Sequence, residues 1–402
     1  MIDSGNTTWV MVATGLVFLM LPGVALLEVG FARAKNSVSI MMQVFTITFL
    51  AGIIFMLFGF TLSFGPSLGG MIGGGRFFGL ENMGAAAWPG TTIPGYAFFA
   101  FQLMFAAVTV ALLTGSIAER MKYPAFFALA AVFLVMYTLP THWIWGGGWL
   151  QSLGMVDFAG STVVHITAGS AALVAAIVLG RRVGFGQTGL EGHSIPFGAL
   201  GAFLLWMGWF GFNGGSALAA DGVAANALVT TNTGAAAGAL VVTLLTWAYL
   251  GKPSIVMSIN GSLAGLAAVT GGAGFVSPVS ALFIGGIAGV IMFYSVALIK
   301  GRLRIDDALD VSSIHGLPGV WGTLAVGLFA DGRLNGVTGL FAGGGFRQLG
   351  VQALGAVVVF VVISALTFGL LKLIQATIGL RSSKKEEIAG LDISDHREPA
   401  YS

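Results

Sequence analysis

The chain of 402 residues is 56% hydrophobic and only 8% charged, with a mean hydropathy of +0.92, whereas soluble domains carry roughly 25% charged residues. That composition excludes an ordinary soluble enzyme and predicts an all-α integral membrane protein. The formal net charge of +2 argues against nucleic acid as a partner, and the lack of cysteine excludes disulfides and thiolate metal sites.

The opening residues Met-Ile-Asp-Ser-Gly-Asn lack the basic segment of a signal peptide, so a leader is either missing or already removed. A helical span needs roughly 20 mostly apolar residues. Eleven such stretches follow, near 8–32, 40–64, 96–118, 124–143, 158–180, 195–213, 225–250, 255–272, 279–299, 311–330 and 348–375. The 62 glycines suit helices packed backbone to backbone, since lipid supplies no hydrophobic force between helices. They show no Gly-X-Y period, so a collagen-like reading fails.

Basic residues alternate with the spans. Arg33 and Lys35 follow span one, Arg120 and Lys122 span three, Arg181 and Arg182 span five, Lys252 span seven, and Lys300, Arg302 and Arg304 span nine. The tail adds Arg381, Lys384, Lys385 and Arg397, whereas the even-numbered exits hold only Arg76, Arg333 and Arg347. By the positive-inside rule the N-terminus is expected outside and the C-terminus in the cytoplasm.

Span five opens Asp157-Phe-Ala-Gly-Ser-Thr-Val-Val-His165-Ile-Thr-Ala-Gly169, and span ten Asp307-Ala-Leu-Asp-Val-Ser-Ser-Ile-His315-Gly-Leu-Pro-Gly319. Both fit Asp-x7-His-x3-Gly. The two spans run in opposite directions, as an inverted repeat of spans 1–5 and 6–10 requires. Eight residues of helix rise about 12 Å, so each histidine is expected near the midplane, where the imidazoles can meet. An ionisable residue at that depth marks a pathway by default. Helix-to-helix hydrogen bonding is the plainer alternative, and bis-histidine haem ligation is the sharpest rival. Asp157 and Asp310 each precede a helical run, where a carboxylate caps unsatisfied backbone N–H groups; capping is preferred to direct cation binding for both.

Aromatic residues crowd the predicted outer mouth, in His142-Trp-Ile-Trp145-Gly-Gly-Gly-Trp149 and Trp209-Phe-Gly-Phe212-Asn-Gly-Gly-Ser216. An interfacial aromatic belt explains them. Indole faces also attract desolvated cations, and a hydroxyl beside them accepts a hydrogen bond. The residues so far describe a channel or transporter for a small cation.

The chain resembles the ammonium transporter family (Amt/Mep, related to Rhesus proteins) over nearly its whole length. The resemblance rests on Pro22-Gly-Val-Ala-Leu-Leu, Arg33-Ala-Lys-Asn36, Phe101-Gln-Leu-Met-Phe105-Ala-Ala-Val-Thr, Ala118-Glu-Arg120, the Trp145 and Phe212–Ser216 stretches, both histidine motifs, and a tail from Gly379 to Ser394. It implies a homotrimer of eleven-helix subunits, each with its own pore. Trp145, Phe105 and Ser216 would form an outer ammonium site, Phe105 and Phe212 a stacked gate beneath it, and His165 and His315 the paired pore histidines. Asp157 would support the outer site indirectly. Trp145 favours the Amt branch over Rhesus proteins.

Glu28 departs from the family, many members of which carry tyrosine there. It is read as lying near the cytoplasmic boundary, bonded to a neighbouring helix or snorkelling. The expected organisation is a transporter domain over 1–375 and a cytoplasmic tail over 376–402 that couples subunits and meets a PII-type regulatory protein. The expected function is ammonium uptake across the inner (plasma) membrane, with no cofactor and no metal. An ammonium sensor working through a separate signalling partner and a bis-histidine haem protein are the alternatives. A hydrolase is disfavoured, since no HExxH or nucleophile elbow occurs.

Overall fold

The computed structural model describes residues 1–75, 77–187 and 190–401. Arg76, one of the basic residues weighed above, lies outside them. Among the described residues nine helices are long and apolar enough to cross a membrane: Ser4–Phe31, Ala34–Phe64, Gly95–Ile117, Tyr123–Ser152, Ser161–Leu179, Ile195–Gly215, Gly222–Leu250, Pro278–Arg302 and Phe346–Thr377. Near 255–272 stands a shorter helix, Ile255–Thr270. Near 311–330 a π-helical turn, Ser312–Gly316, runs into helix Leu317–Phe329. Serine, histidine, glycine and proline dilute the apolar run there, the pattern expected of broken helices that line a cavity.

Several helix starts are capped by side chains of the chain itself, which satisfy N–H groups the helix leaves unpaired. The Asp3 carboxylate accepts from Asn6 N at 2.7 Å, Asp221 accepts from Val223 N and Ala224 N, and Ser194, Ser254 and Ser277 cap their helices in the same way. Glycine sets the packing distance. A Cβ on Gly238 or Gly265 would collide with the facing backbone at Gly261 or Gly234, and one on Gly30 with Gly198. Large apolar side chains stand exposed along the helices, among them Phe203, Leu240, Trp247, Phe283 and Leu373. Apolar exposure on that scale belongs to a lipid-facing wall. The chain is an all-α, multi-pass membrane protein.

One end of the bundle gathers Arg33, Lys35, Arg120, Arg181 and Arg182 from the exits of spans one, three and five. Glu119, held at φ +69°, accepts from Arg33 N, Arg33 Nε, Asn36 Nδ2 and Arg182. Arg182 also forks onto Asp306, at 2.9 Å to each oxygen. Burial alone would raise the Glu119 carboxyl, but Arg182 and Arg33 hold it below the usual carboxylate value. Arg120, fully buried with its guanidinium donating to the Asp306 carbonyl, is pushed down to about 10 by burial.

The C-terminal tail lies across this end. Its short helix Lys384–Ala389 starts with a Ser383/Glu386 capping box. Leu391 N donates to Asn36 Oδ1, Ser39 N to Asp392 Oδ1, Val183 N to Glu387 Oε2 and Tyr123 N to Asp395 Oδ2. Lys35 Nζ donates to the carbonyls of Glu387 and Ile388. The tail thus fastens together three inter-helix connections of its own chain.

Candidate functional site

The sequence at 157–166 builds an unusual helix start. Gly160 takes φ +115°, which favours glycine, and this turn aims four successive N–H groups at one carboxylate. Asp157 Oδ1 accepts from Gly160 and Ser161 at 2.8 and 2.9 Å, and Oδ2 from Thr162 and Val163 at 2.8 and 3.0 Å. The following turn, Ser161–Ile166, is π-helical and carries His165 into the core, fully buried. Turns of this kind recur at functional sites.

The second half repeats the construction with one correction. Asp307, not Asp310, caps the turn bearing His315: its carboxylate accepts from Ser312 N at 2.7 Å and Ser312 Oγ at 2.6 Å. Asp310 instead sits at φ +62° and pairs with Lys300 at 2.8 Å. The spacing Asp-x7-His singles out Asp307 as the counterpart of Asp157. Asp310 stands at ordinary capping distance from Ser312, but its left-handed backbone and its pairing with Lys300 take the carboxylate elsewhere.

The glycines that close both motifs bring the two segments together. A Cβ on Gly169 would collide with the Gly316 backbone, and one on Gly319 would lie 2.8 Å from the Ser161 carbonyl oxygen and 3.1 Å from His165 Cβ. The imidazoles consequently lie side by side, centroids 5.2 Å apart and planes 17° from parallel. Among the described residues neither nitrogen of His165 has a hydrogen-bond partner, nor does Nδ1 of His315.

Above His165 the aromatic rings form a column. Phe212 lies 6.1 Å from His165 and stacks on Phe105 at 4.1 Å and 24°. Trp145 meets Phe105 edge-on at 5.8 Å. Beyond them opens a cavity of about 440 Å³ whose walls include Phe105, Trp145, Asp157 and Ser216. The Trp145 indole donates to the Asp157 backbone carbonyl at 2.6 Å, and Ser216 Oγ donates to the Phe212 carbonyl at 2.8 Å. A hydroxyl that has given its proton to a carbonyl presents only lone pairs to the cavity, so it accepts from a donor but offers none.

Trp209 belongs to this column and not to an interfacial belt. It stacks on His165 at 5.3 Å and lies 6.5 Å from His315, nearly parallel to both, with its indole donating to Thr270. The spacing of three from Phe212 carries the signal, because residues three apart share a helix face. His142 ties down a neighbouring loop through Ser63 O and Ser67 Oγ.

Haem does not fit between these histidines. Axial ligation needs two nitrogens aimed at one iron across a porphyrin, whereas ring centroids 5.2 Å apart leave no room for a porphyrin between them and Trp209 packs 5.3 Å from His165. Among the described residues no group of three or more His, Asp or Glu is placed to hold a metal ion.

Known proteins resemble this chain over nearly its whole length. The chain is 43% identical over 401 residues to the ammonium transporter Amt1 of Archaeoglobus fulgidus, covering 99% of this chain and all of that one. It is 42% identical over 406 residues to the ammonium transporter of Bacillus subtilis, covering 99% and 98%. Among solved structures it superposes on a sensor Amt protein with TM-score 0.91 at 35% identity, covering 98% of each chain, and on Saccharomyces cerevisiae Mep2 with TM-score 0.89 at 33% identity, covering 95% of this chain and 88% of that one. The profile of the Ammonium Transporter Family matches residues 8–401, and the chain belongs to that family.

Proposed function

We propose that the chain carries ammonium across a bilayer, recruiting NH4+ in the vestibule and passing NH3 along the histidines. The observation that carries this reading is the unbroken line from the vestibule through Phe105 and Phe212 to His165 and His315. Trp145 and Phe105 supply ring faces for a cation, and Ser216 supplies an oriented acceptor. Ammonium donates to that acceptor, whereas K+ and Na+ have no proton to donate. The stacked phenylalanines bar a hydrated ion, and apolar surroundings penalise its charge, so ammonium hands one proton to water in the vestibule and enters the gate as NH3. The unpartnered imidazole nitrogens then offer hydrogen bonds to the neutral molecule.

In this reading the protein is a transporter rather than an enzyme. Ile255–Thr270 and the Ser312–Phe329 run complete eleven spans. Residues 1–375 form the transport unit, with the N-terminus outside, the basic end and tail 376–402 in the cytoplasm, and three copies in an inner (plasma) membrane trimer. A PII-type protein docks at the tail end.

An ammonium pulse applied to proteoliposomes tests the function. Delivered as NH3, the substrate raises the internal pH; delivered with its proton, it carries current. Binding with neither signal supports the sensor reading, for which the likeness to a sensor Amt protein gives a specific ground.

A further inference from the structure

Glu28 lies in the Ser4–Phe31 helix with 3% of its surface exposed, so it does not snorkel. Among the described residues its carboxylate takes part in no ion pair; Arg33 and Arg182 are committed to Glu119 and Asp306. Its side-chain hydrogen-bond partner is Thr114, whose Oγ1 lies 2.9 and 2.8 Å from the two carboxyl oxygens, and the Gly115 backbone N–H also donates to it. The same Oγ1 lies 2.5 Å from the Ala111 carbonyl. A hydroxyl has one proton, and a carbonyl has none to share. Thr114 therefore donates to Ala111, and the proton joining Thr114 to Glu28 belongs to Glu28. The backbone beside it is bare: a Cβ on Gly115 would lie 2.9 Å from Glu28 Oε1 and 2.8 Å from Val311 Cγ2.

This carboxyl and His315 line one small cavity of about 20 Å³, enclosed otherwise by aliphatic side chains such as Val24, Leu112, Leu205 and Ile314. That is room for one molecule the size of water, and so for ammonia. His315 is the other titratable group on its wall; Thr114 is the polar neighbour outside it. A carboxyl that served helix packing alone would need no cavity and no imidazole across it.

We propose that Glu28 is the proton donor of a last ammonia site, below His315, in which the departing molecule is protonated before it leaves. The step rests on the transport reading above. Ammonia leaving His315 enters the cavity; the Glu28 O–H bond breaks, an N–H bond forms, and ammonium is held against the carboxylate. Ammonium then leaves toward the tail end, and hydronium in the water there returns a proton to Glu28. Charge and atoms balance, and the step by itself moves no net charge across the pore.

The test is infrared difference spectroscopy of the whole protein in lipid, exchanging sodium chloride for ammonium chloride. Ammonium is expected to bleach a protonated-carboxyl band and raise a carboxylate band, and both changes should be missing in Glu28→Gln, which keeps the shape and can still donate to Thr114. Transport by Glu28→Gln should fall at least roughly tenfold and lose its dependence on the pH of the tail-side solution, a modest share of what a positioned proton donor contributes. A wild-type spectrum indifferent to ammonium overturns the proposal, whether or not the variant folds. So does Glu28→Gln transport within twofold of wild type. Wild-type protein that moves ammonium with an unchanged carboxyl band defeats this inference alone, whereas wild-type protein that moves none defeats the transport reading with it.

Discussion

The indole N–H of Trp145 rests 2.6 Å from the backbone carbonyl of Asp157, the residue whose carboxylate holds the first four N–H groups of the His165 helix. The vestibule wall and the pore histidine therefore share one support. Asp157→Ala leaves four buried donors without a partner. Loss of an ordinary cap costs about 1 kcal/mol, and a site sealed from water should cost more. Transport should be abolished and the thermal midpoint lowered. Asp157→Asn keeps one oxygen acceptor but turns an amide toward the other N–H groups, and should fall between. Wild-type transport by the alanine variant would show that the cap does not position the site.

Trp145→Leu and Ser216→Ala should each weaken ammonium affinity. A partly desolvated cation–π contact contributes about 2 kcal/mol, or roughly thirtyfold. Ser216→Ala removes the oriented acceptor while leaving the stacked gate intact, so it should also erode discrimination against K+. Transport titrations with competing K+ measure both. Affinities within twofold of wild type for both variants would remove this site from the mechanism.

What the sequence shows of this site depends on whether a residue's task is periodic or local. His165, His315 and the small residues at 169 and 319 repeat at one spacing, and the structure brings all four together. The cap at Asp307 is written in the same spacing. Choosing Asp310 followed proximity to the apolar run, which overlooks its left-handed backbone and its pairing with Lys300. Trp209 was misplaced because composition treats every tryptophan near a span end alike, whereas its helix face points it at the histidines. Glu28 was legible as a bond to a neighbouring helix, and Thr114 is that partner. The cavity it shares with His315 joins residues nearly three hundred positions apart, which no local pattern records.

Truncation after Leu380 should alter transport without preventing insertion, because the tail's bonds reach Lys35, Asn36, Ser39, Tyr123 and Val183 across three connections. Leu391 N reaches Asn36, which in turn donates to Glu119. The Glu119 and Asp306 carboxyls are held below their ordinary values by arginines, against a burial effect of opposite sign. Their contribution is therefore complete above the ordinary carboxylate range and is lost as pH falls through the depressed folded values. Protease protection of the tail should follow that acid limb, and Glu119→Ala should release the tail at neutral pH. Identical transport, tail protection and PII-type partner binding in the truncated and full chains would count against any coupling.

Replacing both His165 and His315 with alanine gives the most discriminating outcome. The ring centroids are 5.2 Å apart, with no hydrogen bond joining the rings among the described residues and both nitrogens of His165 free. A relay through them thus works by way of the molecule passing between, not by a standing imidazole–imidazole bond. The double alanine variant leaves Phe105, Phe212 and Trp209 in place, and with them the apolar wall. It removes the buried hydrogen-bonding groups that compensate the passing molecule for lost water. Saturable ammonium-dependent transport should disappear while membrane insertion and the helical content persist. A single acidic replacement returns a proton-binding oxygen to the passage, so it should restore part of the transport and admit some K+. Wild-type flux and selectivity in the double variant would reduce the two histidines to helix packing.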